Sequence, residues 1–231
     1  MSDTALRELA DDPSSRKRFF KMMGGAGAVS AVGVLLAACG DDDDDKSSGS
    51  SSSSTTSSEQ DNKSDLAIVN YALTLEYLEA DFYKQVIASG AITDKATVEI
   101  AKKFGDTEQE HVDALKATAT KLGGKPVAAP KTAFEDVISK GPKTILDTAA
   151  TVENLGAAAY LGQAGRIKSK EVLAAALAIH TVEARHAAAL NQLVGRGFSG
   201  KALEGSVPDG AFAKPMDMDA VLKAAKPFIA S

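Results

Sequence analysis

One cysteine, no tryptophan, three histidines and seven prolines in 231 residues narrow the choices at once. A lone cysteine cannot staple a small scaffold, so a disulfide framework is excluded. Nineteen glycines with no Gly-X-Y period exclude a collagen-like chain, and a hydrophobic fraction of 44% excludes a wholly disordered one. Positive charge is not in surplus, with 26 Lys plus Arg against 31 Asp plus Glu. From residue 61 onward 20 bases balance 21 acids, so the electrostatic footprint of a nucleic-acid binder is missing and no such partner is expected. The apolar run Met22 to Ala38 has 17 residues and is interrupted by Gly24, Gly25 and Gly33. That suits the h-region of an export signal better than a permanent membrane span.

The flanks of that run carry an address. Ser15-Arg16-Lys17-Arg18-Phe19-Phe20-Lys21 resembles the twin-arginine export signal, with Lys17 where the second arginine would stand, so the twin-arginine and general routes both remain open. Leu36-Ala37-Ala38-Cys39 resembles the bacterial lipobox, which implies lipid on the Cys39 sulfur, cleavage before it and a mature chain that begins there. Residues 1–38 are thus expected to be a signal peptide and 39–60 a lipidated cysteine with an Asp/Ser-rich tether. The segment Gly40 to Ser58 has five consecutive Asp and a Ser/Thr tract, with nothing apolar to bury, and is expected to be a solvated spacer. The foldable domain is 61–231.

From residue 65 apolar positions recur at helical spacing in four segments, roughly 65 to 89, 94 to 122, 144 to 166 and 169 to 195. The stripes are Leu66, Val69, Leu73, Glu76, Ala80, Tyr83, Ile87; Val98, Ala101, Phe104, Glu108, His111, Leu115, Leu122; Ile145, Ala149, Glu153, Gly156, Tyr160; and Val172, Ala176, Ile179, Glu183, His186, Leu190, Leu193. Thr93 and Ser169 suit N-caps, and Gly90, Gly123 and Gly195 suit C-terminal stops. Short links at 90 to 93 and 167 to 168 predict two antiparallel hairpins. A helix of about 24 residues is ~36 Å long and takes at least ~11 extended residues to recross. The middle link, 123 to 143, is long enough, and Pro126, Pro130 and Pro142 keep it from becoming helix. The expected fold is therefore all-α, a four-helix bundle of two antiparallel hairpins joined by one long crossover, which is the ferritin-like arrangement. A short helix from Asp219 is expected to pack across it.

Every stripe has a glutamate in its middle, and two of the three histidines close the same pattern, Glu108-Gln-Glu-His111 and Glu183-Ala-Arg-His186. Folding each hairpin about its link sets Glu108 opposite Glu76 and Glu183 opposite Glu153. Tyr83 follows Glu76 by seven residues, as Tyr160 follows Glu153, so the two hairpins look like copies. Four carboxylates and two imidazoles then share one level of one core. Without cations the carboxylates would repel and would each carry a desolvation penalty of several kcal/mol. One Glu from each of two helices and Glu-x-x-His from the other two is the di-metal carboxylate pattern. Positions i and i+3 share a helix face, so the Glu can bridge two metals while the His binds one. Oxygen and imidazole donors suit iron or manganese.

The runs Leu75-Glu-Tyr-Leu-Glu-Ala-Asp-Phe-Tyr83, Val152-Glu-Asn-Leu-Gly-Ala-Ala-Ala-Tyr-Leu-Gly-Gln-Ala164 and Val182-Glu-Ala-Arg-His-Ala187 resemble the bacterial ferritin-like domain family that includes desiccation-related proteins. The likeness runs from about residue 65 to the end. It implies the ferritin-like fold; the Glu with Tyr seven on is also similar to rubrerythrins and bacterioferritins, where the Tyr lies beside the metals.

The metal ligands expected are Glu76, Glu108, His111, Glu153, Glu183 and His186, holding two Fe or Mn ions, with Tyr83 and Tyr160 as candidate catalytic residues or else core aromatics. Glu79 competes with Glu76 and otherwise lies beside the ligands or at the rim. His180 reads as an ordinary core or boundary histidine, and Asp113 and Asp147 as candidate orienters of imidazole. The blander reading makes Glu108 and Glu183 surface partners of their own histidines. Functionally the expectation is a protein on the outer side of a bacterial cell envelope, anchored through Cys39. It would oxidise Fe(II) or reduce O2 or peroxide in stress protection, and a homodimer is among the assemblies allowed. The alternative is a metal-free or structurally metallated helical-bundle desiccation or stress protein without catalysis. A storage cage fits less well with the tether, the lipid and the long tail.

Overall fold

The computed structural model describes residues 53–197, 207 and 211–230. The expected signal, the lipobox with Cys39 and the tether as far as residue 52 lie outside the described residues.

The bundle lies in the compact unit Asp61–Ser231. Its long helices are α1 (Ser53–Ser89), α2 (Lys95–Lys121), α4 (Pro142–Ala164) and α5 (Lys170–Leu193), with short α3 (Glu135–Ser139), α6 (Met218–Ala225) and a 3-10 turn (Lys226–Phe228). Among the described residues there is no strand, only an isolated antiparallel bridge from Thr132 to Ile229.

Helix limits follow local chemistry with four corrections. α1 starts at Ser53, inside the stretch expected to be spacer; once later turns have nucleated, each added residue gains a hydrogen bond. The N-cap of α2 is Asp94 and not Thr93, its carboxylate accepting from the Thr97 amide at 2.8 Å and the Thr97 hydroxyl at 2.7 Å. Pro142 opens α4 instead of blocking it, because the missing N–H of a first-turn proline has no helical partner anyway. Gly141, with φ 86, supplies the left-handed residue before it. Ile87 and Leu193, expected inside, are 39% and 45% exposed. They sit in the last turns of their helices, α1 ending at Ser89 and α5 at Leu193. The expected stops at Gly90, Gly123 and Gly195 do adopt positive φ.

Ser169 caps α5 as expected, accepting from the Val172 amide. A second device there was not anticipated. Fully buried Asp65 in α1 accepts from the backbone amides of Lys168 and Ser169 at 2.8 and 2.7 Å, tying the first hairpin to the turn of the second. Asp65→Ala strands both donors and is expected to destabilise the fold by about 2–4 kcal/mol, read as a lowered midpoint in urea.

The crossover leaves α2 beside the start of α1 and runs along α1 to the start of α4. Asn70 holds it by donating to the Lys125 carbonyl at 3.2 Å and accepting from the Val127 amide at 2.8 Å. Further on, Thr132 donates to Asp81 at 2.5 Å. Phe134 then plugs the core, edge-on to Phe82 with ring centres 4.9 Å apart. The tail returns across α4, where the Met216 amide donates to the Ala158 carbonyl at 3.3 Å. Val221 and Ala225 of α6 bury their side chains in the same cluster as Phe134.

Two apolar clusters result. One, with Leu78, Phe82, Phe104, Ile145, Ala149 and Leu190, fills the bundle where α1 ends and α4 begins. The other, with Val69, Leu73, Leu115, Ala119, Val172 and Ile179, fills the opposite end. The glutamates of the four stripes lie in the layer between.

Candidate metal centre

Glu76, Glu108, Glu153 and Glu183 are fully buried, and His111 and His186 are nearly so. The surface-pair reading of the two Glu-x-x-His motifs is thereby excluded. The six side chains converge in two overlapping groups of four, Glu76–Glu108–His111–Glu183 and Glu108–Glu153–Glu183–His186, with donor atoms in each group within 4.8 Å of one another. Glu108 and Glu183 belong to both.

The contacts show how the sharing works. His111 Nδ1 lies 2.7 Å from Glu108 Oε2, 3.1 Å from Glu183 Oε1 and 3.2 Å from Glu76 Oε2. His186 Nδ1 lies 2.8 Å from Glu108 Oε1 and 3.2 Å from Glu153 Oε2. Glu108 thus turns one oxygen towards each histidine. His186 is also stacked on Phe104, ring centres 3.7 Å apart, which fixes the plane of its imidazole.

The tyrosines complete a reciprocal arrangement. Tyr83 of α1 donates to Glu153 Oε1 of α4 at 2.5 Å, and Tyr160 of α4 donates to Glu76 Oε1 of α1 at 2.5 Å. Each of these carboxylates is therefore divided, one oxygen held by the other hairpin's tyrosine and the other facing a histidine of the centre. Burial first, and then the facing Glu153 or Glu76, pushes both phenols well above their ordinary range, so they remain protonated donors.

The layer is strongly acidic. Burial, followed by the neighbouring glutamates, raises the Glu108 and Glu183 carboxyls well above the usual carboxylate range. Burial would lower the His111 imidazolium, but Glu76 and the close carboxylates of Glu108 and Glu183 overcome it and hold His111 far above an ordinary histidine. Even so, Glu108 Oε1, Glu153 Oε2, both Glu183 oxygens and His186 Nδ1 are buried without a hydrogen bond. Orphaned atoms of this kind are costly, and here all are atoms of kinds that can ligate a metal, gathered in one layer. Oxygen and imidazole donors of this number fit a pair of divalent cations.

Three other residues fall elsewhere. His180 is half-buried and its Nδ1 meets the Ala157 carbonyl at 3.0 Å; burial lowers it, and it stands outside both groups. Asp147, a candidate imidazole orienter, instead pairs with Lys143 at 2.6 Å and Arg196 at 3.0 Å. Asp113 is exposed and accepts from Gln109. Neither faces an imidazole of the centre, because both lie on the outer face of their helix. Glu79, expected as a rival to Glu76 or else beside the ligands or at the rim, is 2% exposed and joins the acidic layer. The signal for it was present in the glycine that faces it, Gly156.

No curated protein matches the chain. The family profile described as ferritin-like domain matches residues 64–196, which take in every residue of both four-member groups. The bundle, its single crossover and the buried carboxylate–histidine layer agree with that match over more than half the sequence, and the chain belongs to the ferritin-like domain family.

Proposed function

We propose that the protein is an exported, Cys39-lipidated protein of the bacterial cell envelope whose bundle holds two iron or two manganese ions and acts in stress protection. The reaction is reduction of O2 or peroxide or oxidation of Fe(II). The observation that carries this reading is the pair of four-ligand groups sharing Glu108 and Glu183.

Glu76 and His111 would serve one ion, Glu153 and His186 the other, with Glu108 and Glu183 common to both. Bound Fe or Mn supplies the one-electron steps that O2 and peroxide chemistry needs. The chain does the rest. Glu108 and Glu183 would be the carboxylates held in common by both ions. Tyr83 and Tyr160 fix Glu153 and Glu76 and each hold a proton at the hydroxyl, within the layer. The apolar clusters above and below exclude bulk water, which strengthens every electrostatic interaction between them. The address in the first 39 residues supports the envelope location.

A rival reading, a structural stress or desiccation protein with no metal, draws on His111, whose short contacts to three carboxylates would let an imidazolium offset part of their charge. Metal analysis of protein purified from its native envelope decides between them. About two Fe or Mn per chain is expected; protein that carries neither and takes up neither in air supports the rival.

A further inference from the structure

The two hairpins repeat with an offset of 77 residues on their first helices: Glu76 corresponds to Glu153 and Tyr83 to Tyr160. The same offset pairs Glu79 with Gly156. One half therefore carries a carboxylate where the other carries no side chain at all.

The structure shows that these two positions share a space. A Cβ placed on Gly156 would lie 2.6 Å from Glu183 Oε2 and 2.9 Å from Glu79 Oε1, closer than real Cβ atoms approach. The missing side chain of Gly156 is thus the room in which the carboxylates of Glu79 and Glu183 lie. Glu79 Oε2 and both oxygens of Glu183 are buried without a hydrogen bond. Glu183, Glu76, Glu153 and Glu108 all act on Glu79 as like charges. A buried carboxyl among carboxylates either keeps its proton or meets a cation.

We propose that Glu79 is a seventh protein ligand of the metal pair, entering from the Glu183 side through the space that Gly156 leaves open. This rests on the two-metal reading and adds a ligand to it. The paired Glu79 and Gly156 make the centre asymmetric: only one half of an otherwise repeated site has the extra carboxylate. The ion that Glu79 reaches has one more oxygen donor than its neighbour, and oxygen-rich coordination favours the harder, more oxidised state of a metal. A carboxylate in Gly156's place as well would collide with the first.

The test uses the full-length protein stripped of metal and titrated with Co(II), followed by calorimetry and by visible absorption, which reports coordination number. Wild type is expected to bind two equivalents. Glu79→Gln keeps the shape and removes the charge, and is expected to weaken one equivalent about 10- to 100-fold and shift its absorption towards lower coordination. Glu79→Gln with both equivalents and the spectrum unchanged overturns the proposal while leaving the metal pair standing, since a merely neutral buried acid is mimicked by glutamine. Wild type that binds no Co(II) overturns it together with the metal reading.

Discussion

Alanine at Glu108 or at Glu183 is expected to remove both metals, whereas alanine at Glu76 or Glu153 is expected to weaken only one. The difference follows from geometry. Glu108 places Oε2 at His111 and Oε1 at His186, and Glu183 is common to both groups, so losing either deprives two ions of a ligand at once. Glu76 and Glu153 each serve one group, and their second oxygens are already engaged by Tyr160 and Tyr83. Metal content by mass spectrometry should fall from about two per chain to near zero in the first pair of variants. In the second pair calorimetry should find one equivalent intact and the other weakened by at least about 100-fold. The folds should survive, because each substitution also removes a buried carboxyl from a crowded acidic layer. Two metals retained in Glu183→Ala would refute the shared-ligand arrangement, and equal losses in all four variants would refute the division into two groups.

The helix faces and the level of the glutamates were legible in the sequence because helical period and hairpin folding are local rules. Glu76, Glu108, Glu153 and Glu183 mark the middle of their stripes, and an internal repeat aligns the hairpins without any knowledge of packing. What stayed hidden depended on a partner far along the chain. Glu79 lies three residues from Glu76, about 60° round the helix, where a side chain is buried or exposed according to what stands opposite. Gly156 stands opposite, and its lack of a side chain turns a rim position into part of the centre. Asp65 is similar: an acid at the start of an amphipathic helix looks like a solvated residue until the turn at Lys168 and Ser169 presents two amides to it. Ile87 and Leu193 failed in the other direction, since periodicity marks a face but does not say how far burial extends into a helix's last turn.

Without metal the bundle is expected to lose stability as pH rises above about 5, and bound metal is expected to remove that loss. The carboxyls of Glu79, Glu108 and Glu183 are raised by burial first and then by each other's charge. Above the unfolded value near pH 4.3 the folded state therefore holds protons that the unfolded chain has released. Stability falls with pH wherever the folded state binds more protons. His111 acts in the same sense: its raised value means a contribution fully present below about pH 6.5 and lost as pH climbs through the folded value. Each group in that condition adds about 1.4 kcal/mol per pH unit to the slope. Asp94 and Asp147 are shifted the other way, Asp94 by hydrogen bonds from Thr97 and Asp147 by Lys143 and Arg196. Their contributions are present above their unfolded values and disappear only on acidification below about pH 4, outside the window. Metal binding needs deprotonated ligands and releases their protons, so the stabilisation by Mn(II) should grow with pH, reaching about 2.7 kcal/mol for each site once free metal is 100 times its dissociation constant. Thermal unfolding in chelator and in Mn(II) across the same buffers reads both slopes. A midpoint in chelator that stays level or climbs over this range would mean that the buried carboxylates are neutralised from within the chain. A metal-induced shift that shrinks as the buffer turns basic would mean that Mn(II) binds somewhere other than this layer.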